Sequence, residues 1–147
     1  MSTLVDRIVE ARRTGQWQPV VAAIPYAQFL GLEVVGTAPD LLCCLRYAPP
    51  LIGNSGIPAL HGGTVGTLLE TTAIFRLLFD GEGTTLPRTI NFTVDYLAAA
   101  HAVDTFARGT ITRLGRRVAN VHVTAWQADA TRPVAQASVH LLLSEDS

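Results

Sequence analysis

Four residues stand together with the means to act on a carbonyl: His61, Gly62, Gly63 and, nine positions after the histidine, Glu70. They lie in ALHGGTVGTLLETTAIFRLLF, a stretch that is apolar on almost every side. The first amide N–H groups of a helix have no partner within it and carry partial positive charge. Glycine lets another molecule's atoms come close to that backbone. N–H groups near Gly62 and Gly63 can therefore polarise a carbonyl and stabilise its oxyanion. Glu70 has no Lys or Arg three or four positions away; Arg76 is six positions on and better placed to pair with Asp80. A buried carboxylate without a partner is costly or protonated. Glu70 thus faces solvent through a gap, is satisfied by a distant residue, or does chemistry. On the plainer reading the glycines permit tight helix–strand packing and Glu70 is a satisfied surface residue.

The flanking segments must position these groups. Residues 2–14 read as an amphipathic helix, with Leu4, Val5, Ile8 and Val9 at helical spacing and Gly15 suited to its end. Ile24–Gly31 makes a short helical turn before a strand at Leu32–Thr37. A Pro39-Asp40 turn leads to a second strand in LLCCLRYA, and PPLIGNSGIPA reads as an irregular loop. The long helix runs from about Gly63 to Asp80. In PRTINFTVDYL, Ile90, Phe92, Val94 and Tyr96 alternate with Thr89, Asn91, Thr93 and Asp95. VDTFARGTITRL, VANVHVTAWQA and VAQASVHLLLS follow as strands, with turns at GRR and DATRP. Strands joined by tight turns form an antiparallel sheet. A helix apolar nearly all round must be covered by it. The fold class is α+β: a curved antiparallel sheet of about six strands around one long central helix, with an N-terminal helix.

The bulk numbers agree. The chain has 147 residues, enough for one domain with a sizeable core. It is 48% hydrophobic and 16% charged, a globular profile. A net charge of −1 with no basic run gives no electrostatic case for nucleic acid. Apolar stretches are broken well short of a membrane span, and the N-terminus lacks the central run of a signal peptide. The two cysteines, Cys43 and Cys44, are neighbours that point to opposite faces of a strand. They are expected to be reduced thiols in a cytoplasmic protein.

HGG opening a long helix, with an acid nine positions after the histidine, resembles the hotdog-fold acyl-CoA thioesterases of the PaaI and 4-hydroxybenzoyl-CoA thioesterase type. LIGNSGIPALHGG is similar to that family's loop before the helix, PRTINFTVDYLAAA to its third strand, and RLGRRVANVHV to its next hairpin. The resemblance covers roughly residues 27–143. It implies a hotdog fold in a single domain, 1–147, with an N-terminal helical extension over about 1–26. It implies hydrolysis of a CoA thioester to free acid and coenzyme A, with no cofactor and no metal. The Gly62 amide then corresponds to the oxyanion donor. Glu70 corresponds to the catalytic carboxylate, as general base or as nucleophile, and the sequence does not choose between them. His61 corresponds to a residue that shapes the pocket and helps hold the thioester. Family members place Asn or Gln six residues before the histidine; here that position is Ser55, with Asn54 one earlier, and Asn54 takes the water-orienting role if the loop shifts. Relatives with Ser or Thr four residues after the acid are matched here by Ile74. The family also implies a homodimer or homotetramer, with active sites at the dimer interface.

The remaining candidates are weaker. Arg113, Arg116 and Arg117 cluster at the RLGRR turn, either to pair with coenzyme A phosphates alongside Gly63 at the site, or as an ordinary solvated hairpin. Centring the last hairpin near Thr131 sets His122 opposite His140, a cross-strand or interface pair without a third metal ligand. His101, Asp95 and Asp104 take no catalytic role. The alternative function is a non-catalytic acyl-CoA binding protein on the same fold.

Overall fold

The computed structural model describes residues 2–143; Ser144, the end of the last expected strand, lies outside them. Thr3 opens α1 (Leu4–Thr14) with a capping box shared with Asp6, and Gly15 ends it in the left-handed conformation at φ +78°. The buried face of α1 is Ile8 and Ala11, while Val5 and Val9 are exposed. That corrects the face read from the sequence by one position around the helix. Next come α2 (Gln18–Ala22), which the sequence did not announce, and α3 (Pro25–Leu30). β1 (Leu32–Gly36) and β2 (Leu42–Leu45) form a hairpin. The expected irregular loop holds a short hairpin of its own, β3 (Ile52–Asn54) with β4 (Ala59–Leu60). The long helix α4 (Gly62–Asp80) follows, then β5 (Arg88–Tyr96), β6 (Thr105–Leu114), β7 (Val118–Trp126) and β8 (Ala135–Leu142).

Six strands make one antiparallel sheet in the order β1-β2-β6-β7-β8-β5. It curves around α4, the arrangement of a hotdog fold. The sheet's inner face is built from small residues: Ala107, Gly109, Ala119, Val121, Val123, Ala125, Ala135, Ala137 and Val139. Small side chains there let large ones on α4 approach, among them Leu68, Leu69, Phe75 and Leu78, all buried. One close approach is at Gly109, where a Cβ would lie 3.6 Å from the Arg76 Cβ. Coverage is incomplete along one stripe of α4: Gly63, Thr67, Glu70, Thr71 and Ile74 keep partial exposure. These positions are spaced three and four apart, so they form one helical face. The sequence-level picture of a helix enclosed on all sides is corrected there.

The N-terminal segment is part of the same core, through Ile8, Ala11, Trp17, Val20 and Val21. Its Arg12 donates to the Leu78 carbonyl at 2.9 Å, to the Glu82 carbonyl at 2.8 Å, and to the Gly83 carbonyl. Those are the free acceptors at and beyond the C-terminal end of α4. Arg76 meets Asp80 and Asp40 at 2.8 Å each, tying the β1–β2 turn to the helix. The i,i+4 pair with Asp80 is the one the sequence indicated.

The β7–β8 register sets His122 opposite Ser138 and His140 opposite Asn120. The two histidines are therefore diagonal, not facing, because the hairpin closes one residue earlier than Thr131. His140 Nδ1 lies 3.3 Å from Asn91 Oδ1 instead.

Cys43 and Cys44 are free and buried. Burial pushes the Cys43 thiol up to about 12 and the Cys44 thiol up to about 11, from an ordinary 9.0. Between those values and 9.0 the native chain holds protons that the unfolded chain gives up. Stability from this source is complete below pH 9 and falls as pH rises further. Urea midpoints measured from pH 7 to 10.5 are expected to drop above pH 9 more steeply in the wild type than in the Cys43→Ala/Cys44→Ala variant. Parallel pH profiles would show that the thiols do not contribute.

Candidate functional site

The N-terminus of α4 has four amide donors to satisfy. His61 is the N-cap, and its ring Nδ1 accepts the Gly63 N–H at 2.9 Å. Its carbonyl accepts the Thr64 N–H at 3.0 Å and the Val65 N–H at 3.4 Å. The Gly62 N–H has no acceptor among the described residues. One residue thus uses three of the four donors and leaves the fourth free. An Nδ1 that accepts a hydrogen bond is unprotonated, so the neutral ring carries its proton on Nε2. His61 therefore presents a second donor on an exposed side chain beside Gly62.

The glycines earn their positions through close packing. A Cβ on Gly62 would lie 3.2 Å from Cζ and from the hydroxyl of Tyr96. On Gly63 it would lie 3.0 Å from His61 Nδ1. On Gly66 it would approach Phe92 and Tyr96 at ordinary contact distance. The packing reading of the glycines is correct as far as it goes, and it coexists with the free N–H. Tyr96 is the residue that sequence reasoning missed: it was read as one member of an alternating strand face. Its hydroxyl donates to the Gly62 carbonyl at 2.8 Å.

Glu70 lies on the uncovered stripe, beside Thr67 and Thr71. Among the described residues its carboxylate has no hydrogen-bond or ion-pair partner. Of the three possibilities left by the sequence, the distant partner is absent among the described residues. Thr72 is buried and its hydroxyl bonds back to the Leu68 carbonyl at 2.7 Å. Asn54 ends β3, and its Oδ1 accepts the Gly56 N–H at 3.0 Å, closing a local turn. Its amide NH2 has no hydrogen-bond partner among the described residues, on an exposed side chain. Asp104 is structural: the Tyr47 N–H, at 2.7 Å, and Arg46 hold its carboxyl below the usual carboxylate range.

Distance along α4 divides the candidates. Gly62 and Glu70 are separated by about 12 Å of helix axis, and Gly62 and Asp80 by about 27 Å. Arg113, Arg116 and Arg117 line an open concavity of about 480 Å³ with Val118 and Asn120. Arg116 also borders a cavity of about 370 Å³ with Leu77, Leu78 and Gly81, at the C-terminal end of α4. The arginine turn and the His-Gly-Gly turn are thus at opposite ends of the central helix. One copy of the chain does not bring them together.

Around the site the surface is apolar. Phe92 and Tyr96 on edge strand β5 are 36% and 57% exposed, next to Gly66 and to Gly62 and Gly66 respectively, and Ile90 on the same strand is 56% exposed. Among the described residues no three His, Cys, Asp or Glu side chains are grouped to hold a metal ion. No helix among them is long and apolar enough to cross a membrane.

Gly53 of β3 holds this turn from behind. A Cβ there would lie 2.7 Å from the His61 Cα, a separation that requires backbone movement. Gly53→Ala is expected to lower stability by about 1–3 kcal/mol, the usual cost of overpacking. Urea denaturation checks it, and an unchanged midpoint would mean that β3 is not held against His61.

Comparison with known proteins follows the same lines. The family described as Thioesterase superfamily matches residues 58–134. A protein of Chromobacterium violaceum of known structure is 32% identical, with a TM-score of 0.76, covering 96% of this chain and 98% of its own. A phenylacetic acid degradation-related protein of Ralstonia eutropha is 22% identical, with a TM-score of 0.76, covering 93% of this chain and 99% of its own. Thioesterase superfamily member 2 of Mus musculus is 18% identical, with a TM-score of 0.71, covering 98% of this chain and all of its own. No curated protein matches the chain.

Proposed function

The chain belongs to the thioesterase superfamily, and from that premise we propose that it hydrolyses an acyl-CoA thioester to a free acid and coenzyme A. Membership supports thioester hydrolysis as the reaction class. The observation that carries the finer reading is the single unused amide donor, Gly62 N–H, at the head of a helix whose uncovered stripe holds an unpaired Glu70.

In this reading the thioester carbonyl accepts the Gly62 N–H, with His61 Nε2–H alongside. Negative charge that develops on the oxygen meets a donor already in place. Glu70 removes a proton from water as the water adds to the carbonyl carbon. The C–S bond then breaks, and the proton returns to the departing sulfur. Alternatively Glu70 attacks directly and water hydrolyses the resulting anhydride. The leaving thiol has a pKa of about 8.5, so it departs without a strong acid. Asn54, through its free amide NH2, orients the water or the substrate.

This reading takes two copies. A Glu70 about 12 Å down the same helix does not reach the carbonyl held by its own Gly62. A second copy related by a two-fold axis brings its Glu70 to the first copy's Gly62, and the converse. The exposed apolar side chains of β5, beside Gly62, fit the burial such a homodimer requires. The same symmetry carries one copy's Arg113, Arg116 and Arg117 toward the other's Gly62 and Gly63, where coenzyme A phosphates would sit. A tetramer extends this dimer. A non-catalytic acyl-CoA binding protein is the second reading, favoured by Asn54 Oδ1 being tied to Gly56 and by Ile74 lacking a hydroxyl.

The test is thiol release from a panel of aromatic and aliphatic acyl-CoAs, followed with a chromogenic disulfide. Wild-type turnover is expected, with a loss of about 10²-fold or more in Glu70→Ala. Binding without release would favour the second reading. The donor is tested separately. Gly62 is the first helical residue, where proline is tolerated, and His61 already has the extended backbone that precedes proline. Gly62→Ala and Gly62→Pro both crowd Tyr96, but only proline removes the N–H. The proline variant is expected to be slower than the alanine variant by about 10²–10³ in kcat. Equal rates would remove Gly62 from the mechanism.

A further inference from the structure

A glycine is the most mobile residue to carry a catalytic donor, and here a second glycine follows it. An oxyanion donor is effective only when its direction is set before the substrate arrives. The direction of the Gly62 N–H is set by the peptide plane that contains it, and that plane and the next one, which meet at the Gly62 Cα, are both held by hydrogen bonds.

The first plane joins His61 to Gly62 and contains the donor itself. Its carbonyl accepts the Thr64 hydroxyl at 2.7 Å, besides the N–H groups of Thr64 and Val65. The second plane joins Gly62 to Gly63. Its N–H is held by His61 Nδ1 at 2.9 Å, and its carbonyl accepts the Tyr96 hydroxyl at 2.8 Å. Tyr96 reaches this point from β5, 34 residues away in sequence, with its ring lying against Gly62 and Gly66. The two glycines supply the groove that admits the ring. Tyr96 is 57% exposed, so burial of its own surface is not what holds it there.

We infer that Tyr96 and Thr64 are positioning residues for the Gly62 donor, Tyr96 by clamping the peptide that follows it and Thr64 by clamping and polarising the peptide that contains it. A hydrogen bond to the carbonyl end of an amide shifts charge across the group and strengthens its N–H as a donor. Thr64 does this to the donating peptide directly. Tyr96 fixes the rotation of the next peptide, which a glycine would otherwise leave free. Neither belongs to the His-Gly-Gly pattern or to its distant acid. This rests on Gly62 being the oxyanion donor.

The test uses the full chain with the acyl-CoA that the wild type turns over fastest. Thr64→Val keeps the shape of the side chain and removes the hydroxyl; Thr64→Ser keeps the hydroxyl; Tyr96→Phe keeps the ring. A donor strained out of line weakens the transition state more than the bound substrate. Thr64→Val and Tyr96→Phe are each expected to lower kcat by about tenfold with KM within about twofold, and the double variant to lose more. Thr64→Ser is expected to keep the wild-type kcat. Thermal midpoints are measured on the same samples, with kcat taken well below them. Wild-type kcat in both Thr64→Val and Tyr96→Phe, or a Ser variant as slow as the Val variant, would overturn the inference while leaving the thioesterase reading intact. A change in thermal midpoint alone would make both residues structural and overturn it equally. A wild type that releases no thiol from any acyl-CoA would overturn the underlying reading and this inference together.

Discussion

Everything in this molecule is arranged around the polar ends of one apolar helix. α4 is covered by the sheet along most of its length, so its backbone polarity is concentrated at its termini. The C-terminal carbonyls are met by Arg12 from the N-terminal helix. At the N-terminus, the amides of Gly63, Thr64 and Val65 are met by His61, which caps with both its ring and its carbonyl. An unmet donor in a well-capped helix is unusual, since buried amides are nearly always paired. It persists at Gly62 because that residue sits at an open edge, between an exposed histidine and a half-exposed tyrosine. The free donor is what remains after the helix end has been satisfied.

The same helix also explains why the functional groups are scattered within one chain. A rigid rod of 19 residues keeps its two ends apart, and loops do not fold back across it. The donor is at one end, the carboxylate about 12 Å along, and the arginine-rich turn at the far end. A sheet curved around a single helix covers it except along one stripe. It leaves the stripe with Glu70 and the edge strand β5 beside it, both carrying apolar surface. The Gly62 N–H and the Glu70 carboxylate, both without a partner among the described residues, occur on the same side of the fold as this exposed apolar surface. An antiparallel second copy would answer both at once, and this makes association and chemistry one problem for this architecture.

Much of this was legible in the residues. The alternation in β7 and β8 gave the strands, because one face of each packs on the helix; β5 alternates in sequence too, but a register shift between Thr89 and Asn91 takes Ile90 out of the pattern. The i,i+4 spacing gave Arg76–Asp80, and the absence of any cation at that spacing gave the isolation of Glu70. What was not legible depended on contacts distant in sequence. Tyr96 looked like any apolar strand residue, because its role is set by the glycine groove 30 and more positions earlier. The β3–β4 hairpin was hidden in PPLIGNSGIPA, whose Pro and Gly residues signal a loop and say nothing of a two-residue pairing. His122 and His140 were set opposite each other by choosing Thr131 as the hairpin centre. A shift of one residue in that centre moves every cross-strand partner by two, so the diagonal arrangement needed coordinates. The N-terminal helix was recognised but its buried face was misjudged: Val5 and Val9 are as apolar as Ile8, and only docking onto the rest of the core selects Ile8 with Ala11.

The sparseness of the site bears on the chemistry it suits. In the proposed reading one carboxylate, one backbone donor and one histidine would provide a base and an oxyanion contact, with no separate strong acid for the leaving group. An alkoxide, whose conjugate acid is far weaker than a thiol, would need a proton as it leaves. A thiolate does not, because its parent thiol ionises near pH 8.5. Such a site therefore selects thioesters over oxygen esters through the leaving group and not through shape. The burden then falls on the donor, worth about 10²–10³ in rate where it is well aimed. A glycine is required there to admit the Tyr96 ring, and glycine is the residue least able to hold its own direction. The hydroxyls of Thr64 and Tyr96 bond to the carbonyls on either side of the Gly62 Cα, and on the inference drawn above they would supply the stiffness that the glycine lacks.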